Sequence, residues 1–281
     1  GTYTVVASDN NGCTTTETFV VTEPSSLTLD YDTSNYNGYG ITCNGLLDGW
    51  INLTIGGGID NLPYVYSWTG DANSSAQNLS NLGAGTYSVT VTDANVCTIS
   101  ETITIVESSE VTSNYVDSDW NGYEIQCFGG DNGSIDLSVS GGVVSLPYDY
   151  YIDGSLQSSS SGSYVYDFLT AGTYLIEALD ANGCSTSHTV TMNEPSSAVT
   201  NTSTVSDYNS YGVTCNGLSD GWINFQAIGG VHSFPHAYSW SGSAISSNRN
   251  LLSIGVGTYT VVASDNNGCT TTETFVVTEP S

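Results

Sequence analysis

The chain has 281 residues, enough for one to three domains, and sets 28 acidic side chains against a single basic one, Arg249, for a net charge of −27. Nucleic acid is excluded as a partner, because phosphate binding needs clustered Lys and Arg, and without lysine no Lys-Asn isopeptide link can harden the molecule, so covalent reinforcement falls to cysteine. Charged residues are only 10% of the chain while aromatics reach 11%, so it folds, and its carboxylates read first as solubility and mutual repulsion along an extended molecule, with cation binding as the sharper alternative. No run approaches the roughly 20 apolar residues of a membrane helix, so no membrane insertion is expected in this segment, and targeting signals are expected outside it.

The chain opens on GTYTVVASDNNGCTTTETFVVTEPS, and residues 257–281 spell the same string. Diverged copies begin at Gly85 and Gly172, and the Glu that closes each copy (Glu23, Glu107, Glu194, Glu279) recurs at steps of 84, 87 and 85 residues. The chain is therefore a tandem array, with the C-terminal part of a preceding repeat at 1–25 and full repeats at 26–108, 109–196 and 197–281. Three repeats make one super-period, and from the opening half-domain the full chain is expected to continue upstream.

Within the first repeat WINLTI (50–55) puts Ile51, Leu53 and Ile55 on one face, the period-two pattern of a half-buried strand, and GGG ends it. PYVYSWTG (63–70) alternates next, with Tyr64, Tyr66 and Trp68 sharing a face. NLGAGTYSVTVTD follows, with Tyr87, Val89 and Val91 pointing one way, and a short turn leads into TISETITIVE. The second repeat gives SIDLSV, PYDYYIDG and AGTYLIEALD, and the third WINFQA, PHAYSWSG and VGTYTVVASD. No segment has a helical period. Short strands punctuated by Gly, Asn, Asp and Pro predict an all-β chain of tandem immunoglobulin-like or fibronectin-like β-sandwiches in a linear array.

Two features narrow the choice: a core Trp in the third strand (Trp68 and Trp240, replaced by Ile152 in the middle repeat), and a Leu-x-x-Gly-Thr-Tyr pattern ending at Tyr87, Tyr174 and Tyr259. The second resembles a tyrosine corner, and these five aromatics are expected in the cores.

Taken together, Cys43-Asn44-Gly45, Asp48-Gly49, Gly56-Gly57, Pro63-Tyr64, Tyr66, Trp68, Gly85-Thr86-Tyr87 and the Asp93-to-Cys97 turn resemble the SprB repeat of gliding-motility adhesins in Bacteroidetes-type bacteria. The third repeat keeps nearly all of this. The middle one departs at Cys127-Phe128-Gly129 and lacks the Trp, and the first has Val96 where Gly is usual. The resemblance implies a very long secreted filament on the cell surface, attached at the outer membrane. It also implies export by the type IX secretion system, propulsion by the gliding machinery, and contact with external surfaces or polysaccharides.

Seven cysteines stand two per full repeat plus one in the leading fragment, at gaps that lack the CxxC spacing of zinc ligands. Sandwich topology puts Cys43 and Cys97 at opposite poles, roughly 20–30 Å apart at about 3.3 Å per residue, against a disulfide Cα separation of at most about 7 Å. Where one repeat abuts the next, the poles meet. The favoured pairing is therefore between repeats, Cys43 with Cys184 and Cys127 with Cys269, leaving Cys13, Cys97 and Cys215 to partners outside the segment; pairing within repeats and free thiols are the alternatives.

Asp48, Asp131 and Asp220 at one pole and Asp180 and Asp265 at the other are candidate Ca²⁺ ligands at the junctions, against the plainer reading of Asp beside Gly or Asn as a turn former. No other cofactor is expected. Trp50 and Trp222 fall on the outward face of the second strand, for contact with a glycan or with the adjacent repeat. His236 stands where the other repeats have Tyr64 and Tyr148 and reads as a packing variant, with a metal pair to His232 as the remote alternative. With three unrepeated His and no recurring Ser-His-Asp order, no enzyme activity is expected. The expected function is a structural stalk segment of a cell-surface filamentous adhesin, whose nearest partners are adjacent repeats of the same chain. An array of carbohydrate-binding modules is the alternative, and an ice-binding solenoid fails because its rungs would recur every 15–25 residues.

Overall fold

Alternating apolar and polar side chains build every long element of the computed structural model, which describes residues 1–58, 63–144, 147–231 and 235–281 and, among these, contains strands and turns but no helix. The chain opens with a hairpin of β1 (Thr2–Ser8) and β2 (Thr14–Val20), in which every residue is exposed. The same sequence at 257–281 buries Tyr259, Val261, Ala263, Phe275 and Val277 in a core cluster.

In the first full repeat β3 (Ser25–Thr33), β4 (Gly49–Gly58) and β6 (Leu79–Leu82) form one antiparallel sheet in the order β3-β4-β6. The facing sheet is β5 (Val65–Gly70), β7 (Gly85–Thr92) and β8 (Thr98–Ile105), in the order β5-β7-β8. One apolar cluster joins the two: Ile51 and Leu53 of the first sheet pack with Trp68, Tyr87, Val89 and Val91 of the second. The Trp68 indole N–H donates to Ala76 O at 2.8 Å, so its one polar atom is satisfied inside the core.

In the second repeat β9 (Ser109–Asp117), β10 (Gly133–Gly142) and β13 (Ser163–Leu169) form the first sheet. The second sheet has four strands, in the order β12-β11-β14-β15: β11 (Tyr148–Ile152), β12 (Ser155–Ser160), β14 (Gly172–Leu179) and β15 (Ser185–Met192). The third repeat returns to the first pattern, with β16 (Thr200–Val205), β17 (Gly221–Ile228) and β19 (Leu251–Ile254) facing β18 (Ala237–Gly242), β20 (Gly257–Ser264) and β21 (Thr270–Val277). Its core sets Phe225 edge-on to Trp240, ring centroids 6.1 Å apart.

Ladder register identifies Ile152, opposite Ile176, as the counterpart of Trp68, opposite Val89. In the other sheet a larger side chain, Tyr166, holds the place of Leu79, each opposite an Ile of its neighbour (Ile135 and Ile51), and is buried. Its hydroxyl donates to Tyr151 O at 2.9 Å.

The tyrosine corner is present three times: the hydroxyls of Tyr87, Tyr174 and Tyr259 donate to the carbonyls of Gly83, Thr170 and Gly255 at 2.9, 3.0 and 2.9 Å. Tyr87 and Tyr259 are buried. Tyr174, expected in a core, is only half buried, because β11 ends at Ile152, whereas β5 and β18 run on to place Gly70 and Gly242 opposite Tyr87 and Tyr259.

By compactness the chain divides into two units whose borders do not follow the repeats. One holds Gly1–Glu110 together with the loop from Gly141 and the turn Asp180–Cys184; the other holds most of the second repeat and all of the third.

Candidate functional site: an asparagine and disulfide clasp

Each link between the strands of a final hairpin is a five-residue turn closed by its own aspartate. In Asp180–Cys184 the carboxylate oxygen Oδ1 accepts from the backbone N–H of Asn182 and of Cys184, both at 2.9 Å, and Oδ2 accepts from Val143 N at 2.9 Å. Asp265 does the same with Asn267, Cys269 and Val231. Asp9 and Asp93 close the equivalent turns. The turn presents an Asn and a Cys on a rigid tip.

The opposite half is a loop between the first two strands of a repeat. In the first repeat Tyr36 and Tyr39 exchange backbone hydrogen bonds of 2.6 and 3.1 Å across Asn37-Gly38. Buried Ser34 fixes this small hairpin, its hydroxyl donating to Gly40 O at 2.6 Å and accepting from Trp50 N at 3.1 Å. Ile41 then anchors the loop in the core, with no exposure. Thr42 is tied to Asp48 through its N–H at 3.2 Å and through its hydroxyl.

Turn and loop meet in the first unit. The Asn182 amide donates to Tyr36 O at 3.2 Å and Thr42 O at 3.0 Å, while its oxygen accepts from Asn37 Nδ2 at 2.6 Å. Beside it Cys43 and Cys184 form a disulfide, with Cα atoms 5.5 Å apart. The second unit repeats the arrangement: Asn267 donates to Trp120 O and Gln126 O, both at 3.0 Å, accepts from Asn121 Nδ2 at 2.6 Å, and lies beside the Cys127–Cys269 disulfide, Cα atoms 5.7 Å apart. Cys13, Cys97 and Cys215 are exposed thiols.

A further set of contacts explains the recurrent Cys-x-Gly and closing Glu. Glu107 Oε2 accepts from Gly45 N at 2.7 Å and Asn44 Nδ2 donates to Ser108 O at 3.0 Å, so the exit of the repeat is tied to its cysteine turn. Glu194 with Gly129, and Glu279 with Gly217, repeat the bond. Sequence reasoning used these Glu residues only to measure the period. Their signal was the constant reach of 62 to 65 residues back to a Gly two positions after a Cys. The clasping Asn likewise recurs in every Asp-x-Asn-x-Cys, although the turn is closed by its Asp.

The candidate calcium ligands hold hydrogen-bond donors of the protein itself. Asp180 and Asp265 each accept three backbone N–H groups, and Asp48 and Asp220 bond Thr42 and Thr214. The Thr214 hydroxyl and then its N–H hold the Asp220 carboxyl below the usual carboxylate range. In the middle repeat this place is taken by Asn132, whose oxygen accepts from Gln126 N at 3.1 Å; Asp131 lies one position away and is exposed. Among the described residues no three His, Cys, Asp or Glu side chains converge.

Trp50 and Trp222 are half buried, and their backbone N–H groups donate to Ser34 and Ser206. His236 Nε2 bonds Gly229 O at 3.0 Å, as the Tyr64 hydroxyl bonds Gly57 O at 2.7 Å; His232 lies outside the described residues.

A family model, that of the SprB repeat, matches residues 41–73 and 124–157, segments that begin at the clasp loop and run through the second and third strands. Both segments carry the SprB repeat. No curated protein matches the chain. Among solved structures, a Ca²⁺-stabilized adhesin that helps an Antarctic bacterium reach out and bind ice is similar at 15% identity and TM-score 0.40, over 99% of this chain and 80% of that one. The N-terminal eight Ig domains of Down Syndrome Cell Adhesion Molecule are similar at 10% identity and TM-score 0.31; the match covers 99% of this chain, which spans about half (51%) of that one. The central fibronectin-III array of RIM-binding protein is similar at 9% identity and TM-score 0.23, over 92% of this chain and 97% of that one. No helix among the described residues is long and apolar enough to cross a membrane.

Proposed function

We propose that this chain is a stalk segment of a long, secreted, filamentous adhesin of the cell surface, serving surface attachment and gliding motility. In this reading each domain is one repeat, bounded at 26–108, 109–196 and 197–281, and its main partner is its neighbour in the chain. The observation that carries the reading is the disulfide between the loop of one SprB repeat and the final turn of the next, made twice with the same Asn seat. Such a bond belongs to an oxidising compartment and stops a pulled domain from extending past it. Export by type IX secretion, attachment at the outer membrane and propulsion by the gliding machinery come with the SprB resemblance.

An antibody raised against the folded chain tests the location: it is expected to label moving filaments on intact cells, and labelling only after permeabilisation would overturn the reading. The carbohydrate-module alternative rests on Trp50 and Trp222, both half buried. Glycan-array binding abolished by Trp50→Ala and Trp222→Ala would favour it over the stalk. Melting that is unchanged by chelator is the result expected if the junction aspartates serve only their turns.

A further inference from the structure

Three loops are built as clasp seats, and two of them are filled within the chain. The third is formed alike: Tyr208 and Tyr211 exchange backbone bonds of 2.7 and 3.3 Å, Ser206 donates to Gly212 O at 2.7 Å, and Thr214 is tied to Asp220. Asn209 stands at φ 54°, as Asn37 and Asn121 stand at 53° and 54°. Its Tyr-Asn-x-Tyr-Gly-x-Thr-Cys sequence equals that of residues 36–43 at every fixed position, and Cys215 is an exposed thiol. The seat therefore repeats, in residue type and backbone, a site that holds Asn182 and Cys184 elsewhere in the same molecule.

Its occupant follows from phase. Residues 257–281 equal residues 1–25, so joining Ser281 to Ser26 of a second copy continues the sequence unbroken, and the repeat after the third is then the first. We propose that the Asn209–Cys215 seat takes the Asp93–Cys97 turn of a second copy of this chain, with Asn95 in the amide seat and a Cys215–Cys97 disulfide beside it.

Two departures from glycine fit this assignment. Val96 stands at φ 67° where Gly12, Gly183 and Gly268 stand at 82° to 84°, and Ser210 stands at φ 75° where the other seats have Gly38 and Gly122. A Cβ at Gly38, Gly122 or Gly183 would meet nothing within 4 Å, whereas at Gly268 it would lie 3.8 Å from Gln126 Nε2. That amide donates to Asn267 O at 2.7 Å, so a valine branching beyond its Cβ would crowd the bond. Thr214, shorter than Gln126, stands at the same place in the third seat, which suits the valine turn. Closing the bond moves two electrons and two protons from the two thiols to a small-molecule disulfide such as oxidised glutathione, which leaves as two thiols.

This inference rests on the clasped-repeat reading, and one experiment separates them: residues 1–281 followed by residues 26–281 as a single chain, oxidised with glutathione and mapped without reduction. The expected map joins Cys215 of the first copy to Cys97 of the second, with Cys43–Cys184 and Cys127–Cys269 formed in both copies. Internal disulfides with Cys215 and the second Cys97 still alkylatable would overturn this proposal alone; loss of the internal disulfides as well would overturn the clasped-repeat reading. In the joined chain Thr214→Gln is expected to slow closure of Cys215–Cys97 about tenfold, with Val96→Gly restoring it and Cys43–Cys184 unaffected. Equal closure rates in all three chains would contradict the proposed fit.

Discussion

At the residue scale, a carboxamide suits the clasp because it offers two donors and an acceptor in one plane, matching two carbonyls and an Asn N–H group. Asn267→Asp turns the donor into an oxygen facing Trp120 O and Gln126 O. Leaving the bonds of buried Asn267 unmet costs about 1–3 kcal/mol, so the equilibrium for closing Cys127–Cys269 against glutathione is expected to fall about 10- to 100-fold; an unchanged redox titration would contradict the seat. Tyrosine burial gives a second handle. Desolvation raises the hydroxyl pKa of Tyr87, Tyr150 and Tyr259 above the ordinary 10.0. The folded state therefore holds these protons more tightly than the unfolded one; the stability is complete below about pH 10 and falls as pH rises through the raised values. Thermal melting is expected to be flat in pH between about 6 and 10 and to decline above it, and Tyr150→Phe should soften that decline. The cysteines, the corner tyrosines and the turn aspartates were all legible in the sequence. The Asn seat was not, because two of its three partners are backbone carbonyls, which leave no mark on residue type, and the third, Asn37 or Asn121, lies about 145 residues away in sequence.

At the scale of elements, the middle repeat shows how one sandwich tolerates the loss of its indole. Ile152 and Tyr166 lie on facing sheets at the ladder positions that Trp68 and Leu79 hold in the first repeat, Tyr166 buried and Ile152 half buried. Ile152→Trp alone is expected to overpack and destabilise by about 1–3 kcal/mol, read from the denaturant midpoint, and adding Tyr166→Leu should recover most of the loss. Strictly additive effects would contradict the exchange. By contrast, Trp68→Ala in the first repeat should cost about 3–5 kcal/mol, since it empties a buried indole site in the core. The all-β class, the second and third strands of each repeat, the strand that follows the corner and the corner itself were readable because alternation and turn residues encode them directly; the first strand of each repeat (β3, β9, β16) and the strand before the corner (β6, β13, β19) were not read. Strand β12 was missed although Asp153-Gly154 announces it: both stand at positive φ, 47° and 76°, as a tight hairpin turn requires, while the serine-rich strand that follows carries little apolar alternation.

At the scale of the whole molecule, the two disulfides interleave: one spans 141 residues and the other 142, and both enclose residues 127–184. Force entering at Cys43 and leaving at Cys269 therefore runs along two covalent paths in parallel, one through residues 43–127 and the other through 184–269. A break in either path leaves the molecule connected, a useful property in a stalk under load. The interleaving also caps extension, because the 142 residues of one loop stay slack for as long as the bonds hold. Pulling single chains by residues 1 and 281 tests this most directly. At about 3.3–3.6 Å per residue, the fully unfolded contour length is expected to grow by roughly 470–510 Å when reductant is added. Equal contour lengths with and without reductant would contradict the clasp, and with it the account of the repeats as covalently coupled neighbours.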